Sequence, residues 1–227
     1  MKYKYPSTWH APHSPNALPT TENVLKDLNH FRGRGIVVTE KMDGESCTMY
    51  PNGTCHARSL DSAHHESRAL VKKLAGDVGH LIPEGWRVCG ENMYAEHSIR
   101  YANLESYFLV FNVWDENNDC LSWKKTIDSC QHVGLSLVPV LYYGMWNAHQ
   151  LGEIEEEINT NDSEGYVVRM ASSFKFKDFV PNTYKWVREN HVQTDDHWMT
   201  QKVVPNELSL EARKKIRDKD SYQNYNF

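Results

Sequence analysis

Gly35-Ile36-Val37-Val38-Thr39-Glu40-Lys41-Met42-Asp43-Gly44-Glu45 is the stretch that decides how the rest of the chain is read. Gly35–Thr39 is apolar and β-branched, which predicts a buried strand. The strand stops on a charged pair, Glu40 and Lys41, and Asp43-Gly44 then turns the chain. Ser46–Tyr50 predicts a second strand. Pro51-Asn52-Gly53 is a turn signal leading into Thr54–Arg58, so a hairpin follows.

Upstream, Pro6, Pro12, Pro15 and Pro19 mark residues 1–20 as an extended lead-in, and Thr20 or Thr21 is placed to cap a short helix through Leu28. Downstream, Asp61–Leu74 has helical spacing, with Ala63, Ala69, Leu70 and Leu74 toward one side. Strand signals recur at Trp86–Gly90, Tyr107–Trp114, Leu137–Tyr143, Gly165–Met170 and Tyr184–Arg188. Helices are expected at Trp123–His132 and Ala148–Ile158, where Glu153-Ile154-Glu155-Glu156-Glu157 forms a solvated face. Ser209 reads as the N-cap of a terminal helix through Lys219. Strands and helices mix without a repeating βαβ rhythm, which predicts an α+β fold built on antiparallel sheets with flanking helices.

The 227 residues suffice for one large domain with a full core. Hydrophobic residues at 40% and charged residues at 24% exclude the disordered and fibrous classes. The formal net charge of −5 speaks against a uniformly basic surface, so any nucleic-acid site must gather its cations on one face. Five cysteines, an odd number with no CxxC pair, argue against a zinc ribbon or a disulfide framework and for a reducing compartment. The opening MKYKYPSTWH holds no apolar signal segment, and no run approaches the ~20 apolar residues that span a bilayer. A cytoplasmic location without a membrane partner is expected. Nothing in the sequence fixes the oligomeric state.

The chemistry centres on Lys41. A lysine ending a buried strand is desolvated, which disfavours its charged form, and only the neutral amine attacks phosphorus. Gly44 permits a tight turn and a close backbone approach, and Asp43 can bond to a sugar hydroxyl or to nearby backbone. Taken alone, this KxDG pattern is also what an ordinary strand end with a Lys–Asp pair and a turn glycine produces. Further elements follow it in order. They are Arg58-Ser59 closing the hairpin, Gly90-Glu91 leading into Asn92-Met93-Tyr94-Ala95-Glu96-His97-Ser98-Ile99, and the aromatic strand Tyr107–Trp114. Ser163-Glu164-Gly165-Tyr166-Val167-Val168 comes next, then Tyr184-Lys185-Trp186-Val187-Arg188.

This ordered series, from Thr39 to Arg188, resembles the covalent nucleotidyltransferase superfamily of polynucleotide ligases and mRNA capping enzymes. The stretches GENMYAEHSIRY, SEGYVVR and KWVRENHVQT are most similar to the bacteriophage and bacterial RNA ligases. The resemblance implies an antiparallel-sheet nucleotidyltransferase domain, ATP-grasp-like, over residues 1–200, and a short C-terminal helical tail over 201–227. Residues 189–227 are too few for the OB-fold domain that DNA ligases and capping enzymes append, so none is expected. ATP and Mg²⁺, or Mn²⁺ in its place, are the implied cofactors. The implied partner is a nucleic acid with 5′-phosphate and 3′-hydroxyl ends, RNA rather than DNA.

The same resemblance assigns roles. Lys41 forms a lysyl–AMP bond. Glu40 lies against adenine, largely through backbone, Arg58 holds the phosphate or ribose side, and Glu91 binds ribose hydroxyls, with Asp43 counted among the nucleotide-binding residues. Phe111 stacks on adenine, with Phe108 as the alternative, and Val167 covers the other side. Strand alternation sets Tyr107, Leu109, Phe111 and Val113 on one face. Glu164 positions the metal, because hard cations prefer carboxylate oxygen, and Lys185 neutralises the α-phosphate. One departure stands out: Val187 occupies the place of a second lysine, and Arg188 points to the opposite face if the strand is regular, so either a bulge brings it round or its task falls to another residue. The competing function is a stand-alone adenylyltransferase that acts on another acceptor or needs a partner subunit. A decayed nucleotide-binding module is the non-enzymatic alternative.

His64-His65 and His191 with His197 lack acidic or cysteine partners at zinc-like spacing and are read as surface or packing residues. His97 is read as packing. For Lys175 and Lys177, contact with substrate phosphates and plain solvation both stay open.

Overall fold

The computed structural model describes residues 1–17, 23–62, 65–158, 163–189 and 202–223. Strand β1 (Gly35–Glu40) lies inside a four-stranded antiparallel sheet. Its neighbours are β8 (Val140–Met145) on one side and β9 (Gly165–Met170) on the other, with β11 (Thr183–Val187) outside β9. Alternation divides this sheet cleanly. Ile36, Val38, Tyr166, Val168, Met170, Tyr184 and Trp186 point into the largest apolar core. Thr39, Val167, Arg169, Thr183 and Lys185 point the other way, into a cleft. Each large apolar side chain so buried contributes about 1.5–3 kcal/mol, so the core face fixes which residues the cleft face presents.

The second sheet runs β10 (Phe174–Lys175), β6 (Asp119–Cys120), β5 (Phe108–Trp114), β4 (Arg87–Asn92), β2 (Glu45–Met49) and β3 (Cys55–Ala57). Its main ladder is antiparallel, and β7 (Ser136–Leu137) adds to β5 in parallel. The expected hairpin is present as β2 and β3, turned by Gly53 at φ +73°. Residues 41–44 connect β1 to β2 and so carry the chain from one sheet to the other.

Helices α1 (Ala69–Val78), α2 (Trp123–Val133), α3 (Ala148–Glu157), α4 (Phe179–Asn182) and α5 (Leu210–Gln223) flank the sheets. The Ser122 hydroxyl accepts from Lys125 N, and Gly134 at φ +75° ends α2. Asn147 caps α3 through His149 N, and Ser209 Oγ accepts from Ala212 N at the start of α5. Helix α1 starts later than its spacing predicts, because the His65 side chain accepts from Ser67 N and sets a 3-10 turn over Glu66–Arg68 first. The expected helix through Leu28 is absent over residues 23–28. There Leu25 N donates to His10 O and His10 N to Asn23 O, tying the segment to the lead-in.

Thr20, Thr21, Ala63, His64, His191, His197 and the expected boundary between 200 and 201 lie outside the described residues. Beyond them, Asn206 donates to the carbonyls of Met93 and Ala95, and Leu208 and Ala212 pack in a core cluster with Met42, Met93 and Leu109. All five cysteines are free thiols. No helix among the described residues is long and apolar enough to cross a membrane.

Candidate active site

A cleft of about 1170 Å³ lies between the two sheets. Apart from Phe108, the alternative to Phe111, the residues assigned above to catalysis or nucleotide binding line it: Glu40, Lys41, Asp43, Arg58, Glu91, Phe111, Glu164, Val167 and Lys185. The backbone explains how the four-stranded sheet supplies its share. Lys41 N donates to Gly165 O, which extends the β1–β9 ladder one residue past β1. Val167 sits between Thr39 and Lys185 in register, so these side chains share one face.

Glu164 reaches the cleft for a different reason. It has the parity of Tyr166, which is in the core, yet Gly165 between them adopts φ +148° and breaks the alternation. A Cβ at Gly165 would stand 2.1 Å from Trp186 O. Lys41 Nζ and Glu164 Oε2 are 2.6 Å apart, and the Glu164 side chain is almost wholly buried. Burial, with the Lys41 charge adding to it, pulls Lys185 down to about 8, partly countered by Glu164.

On the other sheet, burial pushes Glu91 up to about 8, opposed by Lys41 and reinforced by the carboxylates of Glu164, Asp43 and Glu45. Burial also raises Glu40, against a hydrogen bond from Ser163. Glu45 is held by Arg68, whose Nε donates to both carboxylate oxygens. Gly44 is needed for close packing rather than for its φ, since a Cβ there would meet Asn92 O and Met93 Sδ at 2.7 Å. Asp43 is committed largely to backbone: its Oδ2 accepts from Ser98 N, Ser98 Oγ and Ile99 N. His97 Nδ1 stands 4.0 Å from Asp43 Oδ1, on the cleft wall rather than in the core.

The aromatic strand departs from simple alternation. β5 carries one extra residue opposite the Cys89–Gly90 step of β4, a bulge that falls at Phe111. Before it, Leu109 and Phe111 face one way. After it, Val113 joins Phe108 and Val110 in the opposite core, and Asn112 lines the cleft instead. Phe111 is therefore the cleft aromatic, and Phe108, buried to 1%, is not. Arg188 does not line the cleft: its N donates to Glu164 O and its Nε to Ser163 O. Lys175 and Lys177 are exposed and do not line the cleft.

The lead-in supplies cleft residues that no motif announced. Tyr5 meets the Phe111 ring edge-on at 5.0 Å, Arg58 Nη2 donates to Ser7 Oγ at 2.7 Å, and His10 pairs beside Lys185. The proline-rich text there signals extended chain and gives no hint of where it lies. The charges around the cleft are of both signs. The amines of Lys41 and Lys185 stand with the carboxyl groups of Glu91 and Glu164, an arrangement able to hold a polyanion through its lysines, a hard cation through Glu164 and a sugar through Glu91. Among the described residues no cluster of three His, Cys, Asp or Glu makes a metal cage. A divalent ion here would take one or two carboxylates and draw its remaining ligands from phosphate and water, which is how Mg²⁺ is commonly held.

The RNA ligase family profile matches residues 34–187. Among solved structures, Naegleria gruberi RNA ligase with PPi is similar at 18% identity and a TM-score of 0.50, over 71% of this chain and 51% of that one. A mutant of the same ligase with ATP and Mn is similar at 17% identity and a TM-score of 0.49, over 71% and 52%. At such identities the likeness is one of fold. The chain spans about half the length of the solved structures it matches. A comparison with curated proteins finds no match.

Proposed function

The chain belongs to the RNA ligase family, and on that premise we propose that it is an ATP-dependent RNA ligase working through a covalent lysyl–AMP at Lys41. The observation that carries this reading is the Lys41–Glu164 contact of 2.6 Å in a cleft shared with Lys185 and Glu91. A nucleophilic amine needs a proton acceptor within reach, and the Glu164 carboxylate is in contact with it.

In the first step the Lys41 Nζ lone pair forms a bond to the α-phosphorus of ATP. The bond to the bridging oxygen breaks, its electrons leave with pyrophosphate, and the amine gives up a proton. Pyrophosphate, the ligand named for the Naegleria structure, is this leaving group. Lys185 offsets charge growing on the α-phosphate, an electrostatic role that suits its position one strand from Val167. Phe111 and Val167 enclose the base, and Glu91 and Arg58 take the ribose and phosphate side. Glu91, largely protonated near neutral pH in the free cleft, can donate as well as accept a hydrogen bond. A divalent cation at Glu164 would supply further charge neutralisation.

In the second step a 5′-phosphate oxygen of the RNA displaces Lys41 from phosphorus, giving an inverted pyrophosphate linkage and a free amine. In the third, a 3′-hydroxyl attacks the 5′-phosphate, forms the phosphodiester and releases AMP. Each transfer demands positioning and charge stabilisation, which is what the cleft offers. Incubation with α-labelled ATP and Mg²⁺, followed by a chase with 5′-phosphorylated RNA, tests the reading. Label should enter the protein, pass to the RNA end, and appear as AMP on sealing. Label that enters and no nucleic acid accepts would support the stand-alone adenylyltransferase instead.

A further inference from the structure

Val187 leaves the basic strand with one cation, Lys185, facing the cleft, so a second donor to the nucleotide phosphates must come from elsewhere. Arg188 is bound to the 163–164 backbone, and Arg169 is spent on Asn112 and Leu121 O. Arg58, assigned above to the ribose and phosphate side, reaches in from the opposite sheet, where Ser7 holds it, and does not stand beside Lys185 on the four-stranded sheet. Lys4 and Lys202 also line the cleft, both exposed; directly beside Lys185 the candidate comes from the lead-in. Ala11 N donates to Lys185 O and Lys185 N to Trp9 O, both at 2.8 Å, so residues 9–11 add a parallel rung outside β11. In such a pair the opposed residues share a face, with strands about 4.8 Å apart. His10 is the residue opposed to Lys185, and it lines the cleft.

The ring is fixed from behind. Ser14 Oγ accepts from Val187 N at 3.0 Å and lies 3.1 Å from His10 Nδ1, while its contact to Val187 O is longer, at 3.4 Å. Ser14 Oγ donates to Val187 O in this arrangement; turning that hydroxyl proton to Nδ1 instead selects the tautomer in which the ring presents its N–H to the cleft. Nε2 then carries the ring proton, and among the described residues it has no hydrogen-bond partner. The position left vacant at Val187 is thus used by its own backbone to orient, through Ser14, a histidine from outside the stretch that the family profile matches.

Building on the nucleotide-binding reading above, we propose that His10 is a phosphate-binding residue of this cleft, donating from Nε2 to an α-phosphate oxygen beside Lys185. Its neutral form is favoured in the free cleft, where burial and then the charges of Lys185 and Lys41 hold it down to about 4. A bound polyanion offsets those charges, so the same ring is well placed to gain positive character only when phosphate is present.

The test uses the full chain in two assays: equilibrium binding of ATP without divalent cation, and the rate of protein labelling from α-labelled ATP with Mg²⁺. A hydrogen bond to a charged group implies that His10→Leu weakens binding and slows labelling by roughly 10- to 100-fold. His10→Gln, which restores an N–H near Nε2, should recover most of that loss, and Ser14→Ala should fall between. Nitrogen-resolved NMR of the wild type should show the Nε2–H tautomer, with that nitrogen shifting on addition of ATP. Wild-type affinity in His10→Leu, equal damage in the Leu and Gln variants, or an Nε2 that ignores ATP would overturn the assignment, and the NMR arm holds even if a variant misfolds. Binding with an Nε2 response but no labelling would instead sink the lysyl–AMP reading and leave His10 standing.

Discussion

On the four-stranded sheet the cleft residues follow one another by alternation: Thr39, Lys41, Val167 and Lys185, with Glu164 admitted by the backbone of Gly165. On the other sheet they come from irregularities, a bulge at Phe111 and the strand-end residues Arg58 and Glu91. The electrostatics differ in the same way. The first sheet brings two lysines against one buried carboxylate, and burial lowers Lys185; the second holds a carboxylate that burial raises. Under the proposed reaction this becomes a division of labour: the regular sheet would bring Lys41, Lys185 and Glu164 to the reacting phosphorus, and the irregular one would bring Phe111 and Glu91 to base and sugar.

The sharpest way to break this division is to mutate both sides and separate rate from affinity. Lys41→Ala should abolish labelling, a loss beyond roughly a thousandfold, because it removes the amine that stands against the Glu164 carboxylate. Lys185→Met should lower the rate of labelling by about 100-fold while ATP affinity falls less, as measured by single-turnover kinetics over a range of ATP. Phe111→Ala should do the reverse, raising the ATP concentration for half-maximal labelling about 10-fold with little change in the limiting rate. If Phe111→Ala slows the limiting rate as much as Lys185→Met does, the two sheets do not divide the work.

Which parts the sequence discloses follows from that contrast. Where strands are regular, parity is enough. The apolar partners of Lys185, Tyr184 and Trp186, announce the buried face, and the lysine between them must face the cleft. Parity misleads at the β5 bulge, because an extra residue shifts every later side chain by one face and leaves no mark in the text. Val113 was set beside Phe111 on that ground and lies in the opposite core. Lead-in residues Tyr5, Ser7 and His10 were beyond reach for another reason: an extended segment has no periodicity, and its partners are distant in sequence. The carboxylate of Asp43 was open to sugar or backbone, and its Oδ2 is largely occupied by the amides of Ser98 and Ile99.

Smaller effects concern stability. Gly165→Ala should destabilise by at least ~2 kcal/mol in denaturant titration, since its φ disfavours a side chain and Trp186 O blocks the Cβ. Glu91→Gln probes the other sheet through pH. The folded protein holds the Glu91 proton to about 8, whereas the unfolded chain releases it near the ordinary glutamate value of 4.5. Between those values the folded state binds more protons than the unfolded, so rising pH costs stability, and above about 8 the cost is complete. Melting curves should therefore show Glu91→Gln gaining on the wild type as pH climbs from 5 to ~9. A constant difference across that range would mean that Glu91 ionises freely in the cleft.

The most direct measurement is intact-protein mass spectrometry after incubation with ATP and Mg²⁺, with the modified peptide mapped. One AMP linked to the Lys41 amine, absent from Lys41→Ala and removed by added pyrophosphate, is the predicted result. An unmodified wild-type chain that nonetheless binds ATP in the cleft, or AMP attached to a different residue, would contradict it.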